Sequence, residues 1–304
     1  MRYPGFCFGI LLLVILASCN KRLPDAAEDI LEINLPQFGE ENSLEIISWN
    51  IEQFPKHSRT IVNVRDIILD LDVDIIAVQE ITSADDFDRL IDSLNTASIG
   101  AWEGRLSQLS TNLSTGIVFK TSIVTVESDT HLFVGDFDFA GRPPYVLSLS
   151  ARNNNRLFDF TLIVLHLKAF EDTESRERRR RAIQKLESWI ASQLQNSNND
   201  PDYILAGDWN DELDDPAPDN VFLPFLTDTT RYLFSTEQFI DVAGEFTFIG
   251  GNFESLIDHI MITRSIDAAY PNHTAQVLKI DQTFLEYPEQ VSDHRPIGVK
   301  YPAF

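Results

Sequence analysis

Two clusters in this chain bring together residue types suited to phosphate ester chemistry. Gly207-Asp208-Trp209-Asn210 follows the apolar run Tyr203-Ile204-Leu205-Ala206, and Val291-Ser292-Asp293-His294 lies near the C-terminal end. An Asp beside a His can hold an imidazole in one tautomer and raise its basicity. An Asp-x-Asn spacing on extended backbone points two oxygen-bearing side chains the same way. Such groups can activate a water, move its proton and hold a phosphoryl oxygen.

Four further fragments share this character: Trp49-Asn50, Gln79-Glu80, His166-Leu167-Lys168 and Asp258-His259, each delivered by a short apolar run. Runs of this length bounded by polar residues read as buried strands, and catalytic groups in layered α/β enzymes sit where such strands emerge. The surrounding pattern supplies the scaffold. Strands are expected over Leu44 to Ser48 and Asp74 to Val78, with a helix from Ser58 to Leu71 on which Ile61, Val64, Ile68 and Leu71 recur at helical spacing. A second helix starts at Ser83, whose hydroxyl can cap it, with Phe87, Leu90 and Leu94 as its inner stripe. Residues 95 to 115 read as loop. Four strands follow, at Ile117 to Phe119, Ile123 to Val126, Val146 to Ser150 and Leu157 to Leu165, with a hairpin turn at Asn153-Asn154-Asn155. A long helix over 174 to 195, lined by Ile183, Leu186, Ile190 and Leu194, precedes the strand that carries Asp208. Two packed β-sheets flanked by helices follow most naturally from this order.

Taken in sequence, Trp49-Asn50, Gln79-Glu80, His166-Leu167-Lys168, Gly207-Asp208-Trp209-Asn210, Ile257-Asp258-His259-Ile260 and Ser292-Asp293-His294 resemble the motif series of the endonuclease/exonuclease/phosphatase superfamily, which includes deoxyribonuclease I. The resemblance runs from about residue 44 to 302. It implies an α/β fold, a four-layer α-β-β-α sandwich of two packed mixed β-sheets flanked by helices, over residues 43–304. It also implies roles. Glu80 is expected as the principal ligand of a divalent cation, Mg²⁺ with Mn²⁺ or Ca²⁺ as alternatives, with Asn50 and Asp293 nearby, since hard cations take carboxylate and carbonyl oxygens. Asp208 and Asn210 are expected to position the attacking water and the phosphoryl oxygen, and Asp293 to orient His294. His294 is expected to serve as base or as stabilising imidazolium. His166 is expected to donate to the phosphate or leaving oxygen, and Asp258 to orient a neighbouring catalytic group or contact metal. Arg142, in Gly141-Arg142-Pro143, resembles a segment that reaches the substrate phosphate. The secreted deoxyribonucleases carry a Glu shortly before the strand that here begins at Gly116, where this chain has Asn112, Ser114 and Thr115.

Arg176 and Arg178 to Arg181 stand amid Glu171, Asp172, Glu174, Glu177 and Glu187 and read as a salt-bridged, solvated helix face. The net charge of −23, from 24 basic and 47 acidic residues, weighs against a tight polyanion binder. It leaves room for a metal-dependent enzyme that turns over and releases, because a bound cation reverses the local field.

At the other end, Ile10 to Ala17 is an apolar run too short to span a bilayer, preceded by Arg2 and ending Leu16-Ala17-Ser18-Cys19. It looks like a bacterial lipoprotein signal over residues 1–18, with Cys19 lipidated and residues 19–42 holding that cysteine and a flexible tether. The expected location is therefore the extracytoplasmic face of a cell envelope. The only other cysteine, Cys7, lies within the signal, so no internal disulfide is expected. The activity these features favour is a phosphodiesterase acting on extracytoplasmic DNA or RNA as a monomer. A phospholipid phosphodiesterase of sphingomyelinase type, an inositol-phosphatase-like phosphomonoesterase and a non-catalytic surface binding protein are the alternatives.

Overall fold

β-Branched and aliphatic runs build the strands of this chain, and most are buried on both faces, so they read as continuous rather than alternating apolar stretches. The computed structural model describes Met1 and residues 33–98, 100–108, 113–251 and 253–304. One mixed sheet has the order β11-β12-β1-β2-β4-β3, formed by β1 (Leu44–Phe54), β2 (Ile75–Ile81), β3 (Trp102–Leu106), β4 (Ser114–Lys120), β11 (Thr274–Val277) and β12 (Ile297–Tyr301). The other has the order β5-β6-β7-β8-β10-β9, formed by β5 (Val124–His131), β6 (Tyr145–Asn153), β7 (Arg156–His166), β8 (Tyr203–Asp208), β9 (Tyr232–Phe234) and β10 (Asp258–Thr263). β1 pairs parallel to β2 and β7 parallel to β8; the remaining pairs are antiparallel.

The sheets pack face to face through Ile46, Ile75, Ala77, Ile117, Leu149, Leu162, Val164, Ile204, Ala206, Ile260 and Val299. Helices α1 (Thr60–Leu71) and α2 (Ala84–Ala97) cover the outer face of the first sheet, laying Val64, Ile68, Leu71, Phe87, Leu90 and Leu94 on Ile47, Trp49, Ile76 and Val78. Helix α3 (Thr173–Gln195) covers the second, through Ala182, Ile183, Leu186 and Ile190. The expected four-layer sandwich is present. Ser83 caps α2 as expected, accepting from Asp86 N at 3.1 Å. The Asn154-Asn155 turn closes β6 onto β7 with both residues left-handed, φ 48° and 67°.

Three expectations on this scaffold change. Residues 95–115 are not all loop, because Trp102–Leu106 forms an edge strand on β4 with the Trp102 ring tucked inward. The arginine run on α3 is a salt-bridged, solvated face only in part: Arg176, Arg180 and Arg181 pair with Asp219, Glu177 and Asp138, but Arg178 and Arg179 are buried, Arg179 donating to Asp211 Oδ2 at 2.7 Å. And residues 33–42, assigned above to the tether, pack on the fold. Leu35 and Phe38 are buried among the residues that cover the first sheet, Leu35 N donates to Asp70, and Phe38 N and Gly39 N share Leu71 O at 3.0 and 2.8 Å. The signal segment and Cys19 lie outside the described residues. Among the described residues no helix is long and apolar enough to cross a membrane.

That N-terminal segment encloses a carboxyl with a consequence for stability. Glu45 accepts from Ser43 Oγ at 2.6 Å and Glu40 N at 3.0 Å, and burial together with the nearby Asp74 carboxylate raises its pKa to about 8. A native pKa above the unfolded one means stability is full below the unfolded value and is lost as pH rises through the folded value. Wild-type protein should therefore lose on the order of 2 kcal/mol more than Glu45→Gln between pH 5 and pH 9 in denaturant unfolding. Parallel stability curves for the two proteins would refute this.

Candidate active site

Strand parity delivers three of the site residues directly. On β1, Ile46 and Ser48 alternate toward the opposite sheet and Asn50 continues the series; on β7, Leu162 and Val164 lead to His166; on β8, Ile204 and Ala206 lead to Asp208. Register then aligns them at one end of the sandwich, with His166 opposite Asp208 and Asp208 opposite Asp258. β7 and β8 approach closely here, because a Cβ on Gly207 would lie 2.2 Å from Leu165 O, so only glycine fits before Asp208.

Glu80 arrives differently. Regular alternation after Val78 would turn it toward the helices. Instead the pairing of β2 shifts between Val78 and Ile81 and Glu80 takes φ 66°, a bulge that swings its carboxylate inward. Its Oε1 lies 3.4 Å from Asn50 Nδ2 and 3.7 Å from His166 Nε2, while Oε2 accepts from Gln53 N at 3.0 Å. Asp258 and His294 also depart from the expectation that an apolar run leads into each residue as a strand. Asp258 opens β10 and His294 lies just before β12, and the antiparallel pairing of those strands brings their starting ends to the ends of β8 and β1.

The assembled cluster is acidic, buried and centred on Asp208. Asn50 Nδ2 donates to Asp208 Oδ2 at 2.9 Å, His166 Nε2 lies 3.6 Å from the same oxygen, and His294 Nε2 lies 4.0 Å from it. Burial, reinforced by Asp258, raises the Asp208 pKa to about 7. His166 is held neutral: burial, with the Arg142 guanidinium and His294, takes its pKa well below the ordinary value. Its Nδ1 has no hydrogen-bond partner among the described residues, and neither has the buried Thr115 hydroxyl, in the segment where the secreted deoxyribonucleases place a Glu.

One assigned role moves. Asp293 was expected to orient His294, but it is Asp258 Oδ2 that meets His294 Nδ1, at 2.8 Å; Asp293 Oδ1 stands 3.8 Å from Nε2 and is partly exposed. Adjacent residues on a turning chain point apart, so the partner comes from the neighbouring sheet. Burial alone would lower the His294 pKa, but the Asp258 carboxylate outweighs it and holds it up at about 10.

Around these groups stand residues to which the sequence assigned no role. Tyr287 OH donates to His294 O and accepts from Trp49 Nε1 at 2.9 Å. Ser292 Oγ bonds Asn50 O at 2.6 Å and accepts from His294 N, tying β1 to the His294 turn. Thr247 Oγ1 accepts from Asp258 N at 3.1 Å. Trp49 belongs to the Trp49-Asn50 motif, but nothing in the sequence marks Tyr287 or Thr247. Arg142 sits beside the site as expected, yet two of its donors are spent on His166 O and Leu167 O. Asn210, left-handed at φ 56°, takes Asp208 Oδ1 on its N–H and gives one Nδ2 hydrogen to Leu167 O. A second amide hydrogen and its carbonyl oxygen remain available.

The donor set fits a divalent cation. Glu80, Asp208, Asp258 and Asp293 crowd one end of the sandwich, Asp258 Oδ1 is buried without a hydrogen-bond partner among the described residues, and both histidines stand at 3.6 to 4.0 Å from Asp208, too far for hydrogen bonds. Buried carboxylates in such excess are what a hard cation relieves. Asp208, Asp258 and His294 bring ligand atoms within 4.8 Å of one another. Two of these are engaged with each other in the 2.8 Å bond, which favours the open Glu80 carboxylate with Asn50 as the holder.

Comparison with known proteins agrees with this geometry. The chain resembles the catalytic domain of human nocturnin with bound sulfate, at 16% identity and TM-score 0.60 over 86% of this chain and 95% of that one. Truncated Caenorhabditis elegans TDP2 aligns at 15% identity and TM-score 0.60 over 85% and 97% of the two chains. A mannosyl-6-phosphatase of Bacteroides thetaiotaomicron aligns at 17% identity and TM-score 0.57 over 84% and 98%. At these identities the likeness is one of fold. No curated protein matches the sequence. A family model does match, across residues 47–294, the segment that holds every residue of the cluster, and the chain thus belongs to the endonuclease/exonuclease/phosphatase family of phosphoester hydrolases.

Proposed function

We propose that this protein is a divalent-metal-dependent phosphodiesterase acting on extracytoplasmic nucleic acid, held at the membrane through a lipid on Cys19, with Mg²⁺ as its metal. The observation that carries the catalytic part is the pairing of a hydrogen-bonded Asp258-His294 couple with a neutral His166 across a buried Asp208. When bound by Glu80 and Asn50, the cation supplies charge for the phosphoryl oxygens.

The chain's own residues supply the rest. His294, charged and fixed by Asp258, offers Nε2–H to the oxygen that gains charge as the phosphorane forms. Neutral His166 donates from Nε2 to a non-bridging or leaving oxygen. Asp208, with a pKa near neutrality, can accept the proton of the attacking water, and the free amide hydrogen of Asn210 orients a phosphoryl oxygen. Enclosure between the sheets excludes bulk water and strengthens each of these contacts.

The substrate is tested by incubating the protein with plasmid DNA, RNA, bis-p-nitrophenyl phosphate, sphingomyelin and an inositol phosphate, each with Mg²⁺ and with EDTA. Metal-dependent cleavage of nucleic acid that His166→Ala abolishes is the expected result. Inert nucleic acid with turnover of sphingomyelin would replace the nuclease reading by a lipid one, which the lipoprotein-like N-terminus makes the natural second choice.

A further inference from the structure

Beside the catalytic cluster opens a cavity of about 740 Å³ whose wall includes Glu80 and His166. Its far side is unlike the rest of this strongly acidic chain. Three cations line it, Arg142, Lys168 and Arg178, and none forms an ion pair with the described residues. Arg142 donates to two backbone carbonyls, Lys168 to Ala169 O at 3.0 Å, and Arg178 to Phe137 O. Arg178 is nine-tenths buried, and its Nε has no partner among the described residues. Asp208 and Glu80 offset Arg142, and Asp172 offsets Lys168, only at longer range, and cations left without a close ion-pair partner in a chain of net charge −23 point to an anion that is not part of the protein.

Two phenyl rings share that wall. Phe137 and Phe170 are 63% and 71% exposed, and each carries a cation on its face, Arg178 at 3.7 Å and Lys168 at 4.1 Å. Phe170 stands at φ 81°, a conformation that costs a bulky residue strain and persists only where its surroundings enforce it. They do: Arg179, anchored on Asp211, donates to both Lys168 O and Phe170 O at 2.7 Å. The Phe137 turn is held in the same manner by Arg181 and Lys185 on Asp138 and Asp136. Two loops are thus fixed by buried or paired cations so as to present exposed aromatic rings beside a catalytic centre. Apolar burial does not account for rings that stay in solvent.

We propose that this cavity is the subsite for the nucleotide adjoining the scissile phosphate, its base stacking on Phe170 and Phe137 and its flanking phosphate lying against Lys168, Arg142 and Arg178. The proposal rests on the phosphodiesterase reading and deepens it, naming single-stranded polynucleotide as the substrate class. A base inside a duplex has both faces occupied by its neighbours, whereas an unpaired base can lay one face on an aromatic ring.

The test separates binding from chemistry. Full-length protein in EDTA is titrated against a fluorescein-labelled phosphorothioate hexathymidylate, followed by anisotropy, beside Phe170→Ala, Phe137→Ala/Phe170→Ala, Lys168→Ala and the aromatic control Phe170→Trp. Wild type and Phe170→Trp should bind, each alanine variant about tenfold or more weakly, and a duplex of the same length more weakly than the single strand. Unchanged thermal melting shows that the variants fold. Equal binding by wild type and Phe170→Ala, no binding by wild type, or Phe170-dependent binding to phosphatidylcholine vesicles without oligonucleotide binding would overturn the subsite. Hydrolysis of bis-p-nitrophenyl phosphate with Mg²⁺, measured alongside, judges the catalytic reading on its own: its absence together with Phe170-dependent oligonucleotide binding sinks that reading and reduces the cavity to a nucleotide-binding site without a scissile phosphate beside it.

Discussion

His294→Ala should lose on the order of 10³-fold to 10⁴-fold in kcat/KM on a phosphodiester while keeping its fold, because it removes the group positioned to meet charge as it develops. The partner residues refine this expectation. Asp258→Asn keeps the shape of the side chain but removes the charge that sustains the imidazolium through the 2.8 Å contact, and should cost on the order of 10²-fold or more. Asp293→Asn, whose carboxylate is 3.8 Å from Nε2 and partly exposed, should cost far less through this route. Because His294 and Asp258 act as one unit, the double variant should lose little more than His294→Ala alone. If Asp293→Asn proves the more damaging of the two carboxylate changes, the sequence neighbour rather than the cross-sheet partner governs His294.

The second large effect concerns Glu80. Its carboxylate is aimed inward by the β2 bulge and left partly exposed, open to a cation as the buried Asp208 and Asp258 carboxylates are not. Glu80→Gln keeps the size of the side chain but can accept from only one of Gln53 N and Asn50 Nδ2, because its amide nitrogen donates, and it removes the charge on which a hard-cation site depends. We expect Mg²⁺ affinity by calorimetry to weaken at least about tenfold and kcat to fall by about 10²-fold or more. Unaltered Mg²⁺ binding in the variant would move the cation to the Asp208 side of the site.

How much of this was legible in the sequence depends on whether a residue's place is set by its own strand. Asn50, His166 and Asp208 continue a period-two series of inward apolar residues, and strand order brought them together as their types suggested. Glu80 could be recognised by type but not aimed, since a bulge has no composition that marks it. The pairing of His294 was misread because Asp293 is adjacent in sequence whereas Asp258 arrives through the register of β10 on β8. Arg178 and Arg179 on α3 depart from the solvated reading for a similar reason. Their sequence neighbours are acids, but Asp211 and the Phe137 turn, which engage Arg179 and Arg178, come from elsewhere in the chain. The same limit hid Tyr287 and Thr247, whose value lies wholly in what they touch.

The most direct test of the central claim, a metal-dependent phosphoester hydrolase centred on Asp208, is a Mg²⁺ titration of EDTA-stripped protein with bis-p-nitrophenyl phosphate. Hydrolysis should be absent without metal, return along a saturable curve in wild type, shift to higher Mg²⁺ in Glu80→Gln and stay near background in His294→Ala. A full rate in excess EDTA, or the same curve for wild type and Glu80→Gln, would contradict the account.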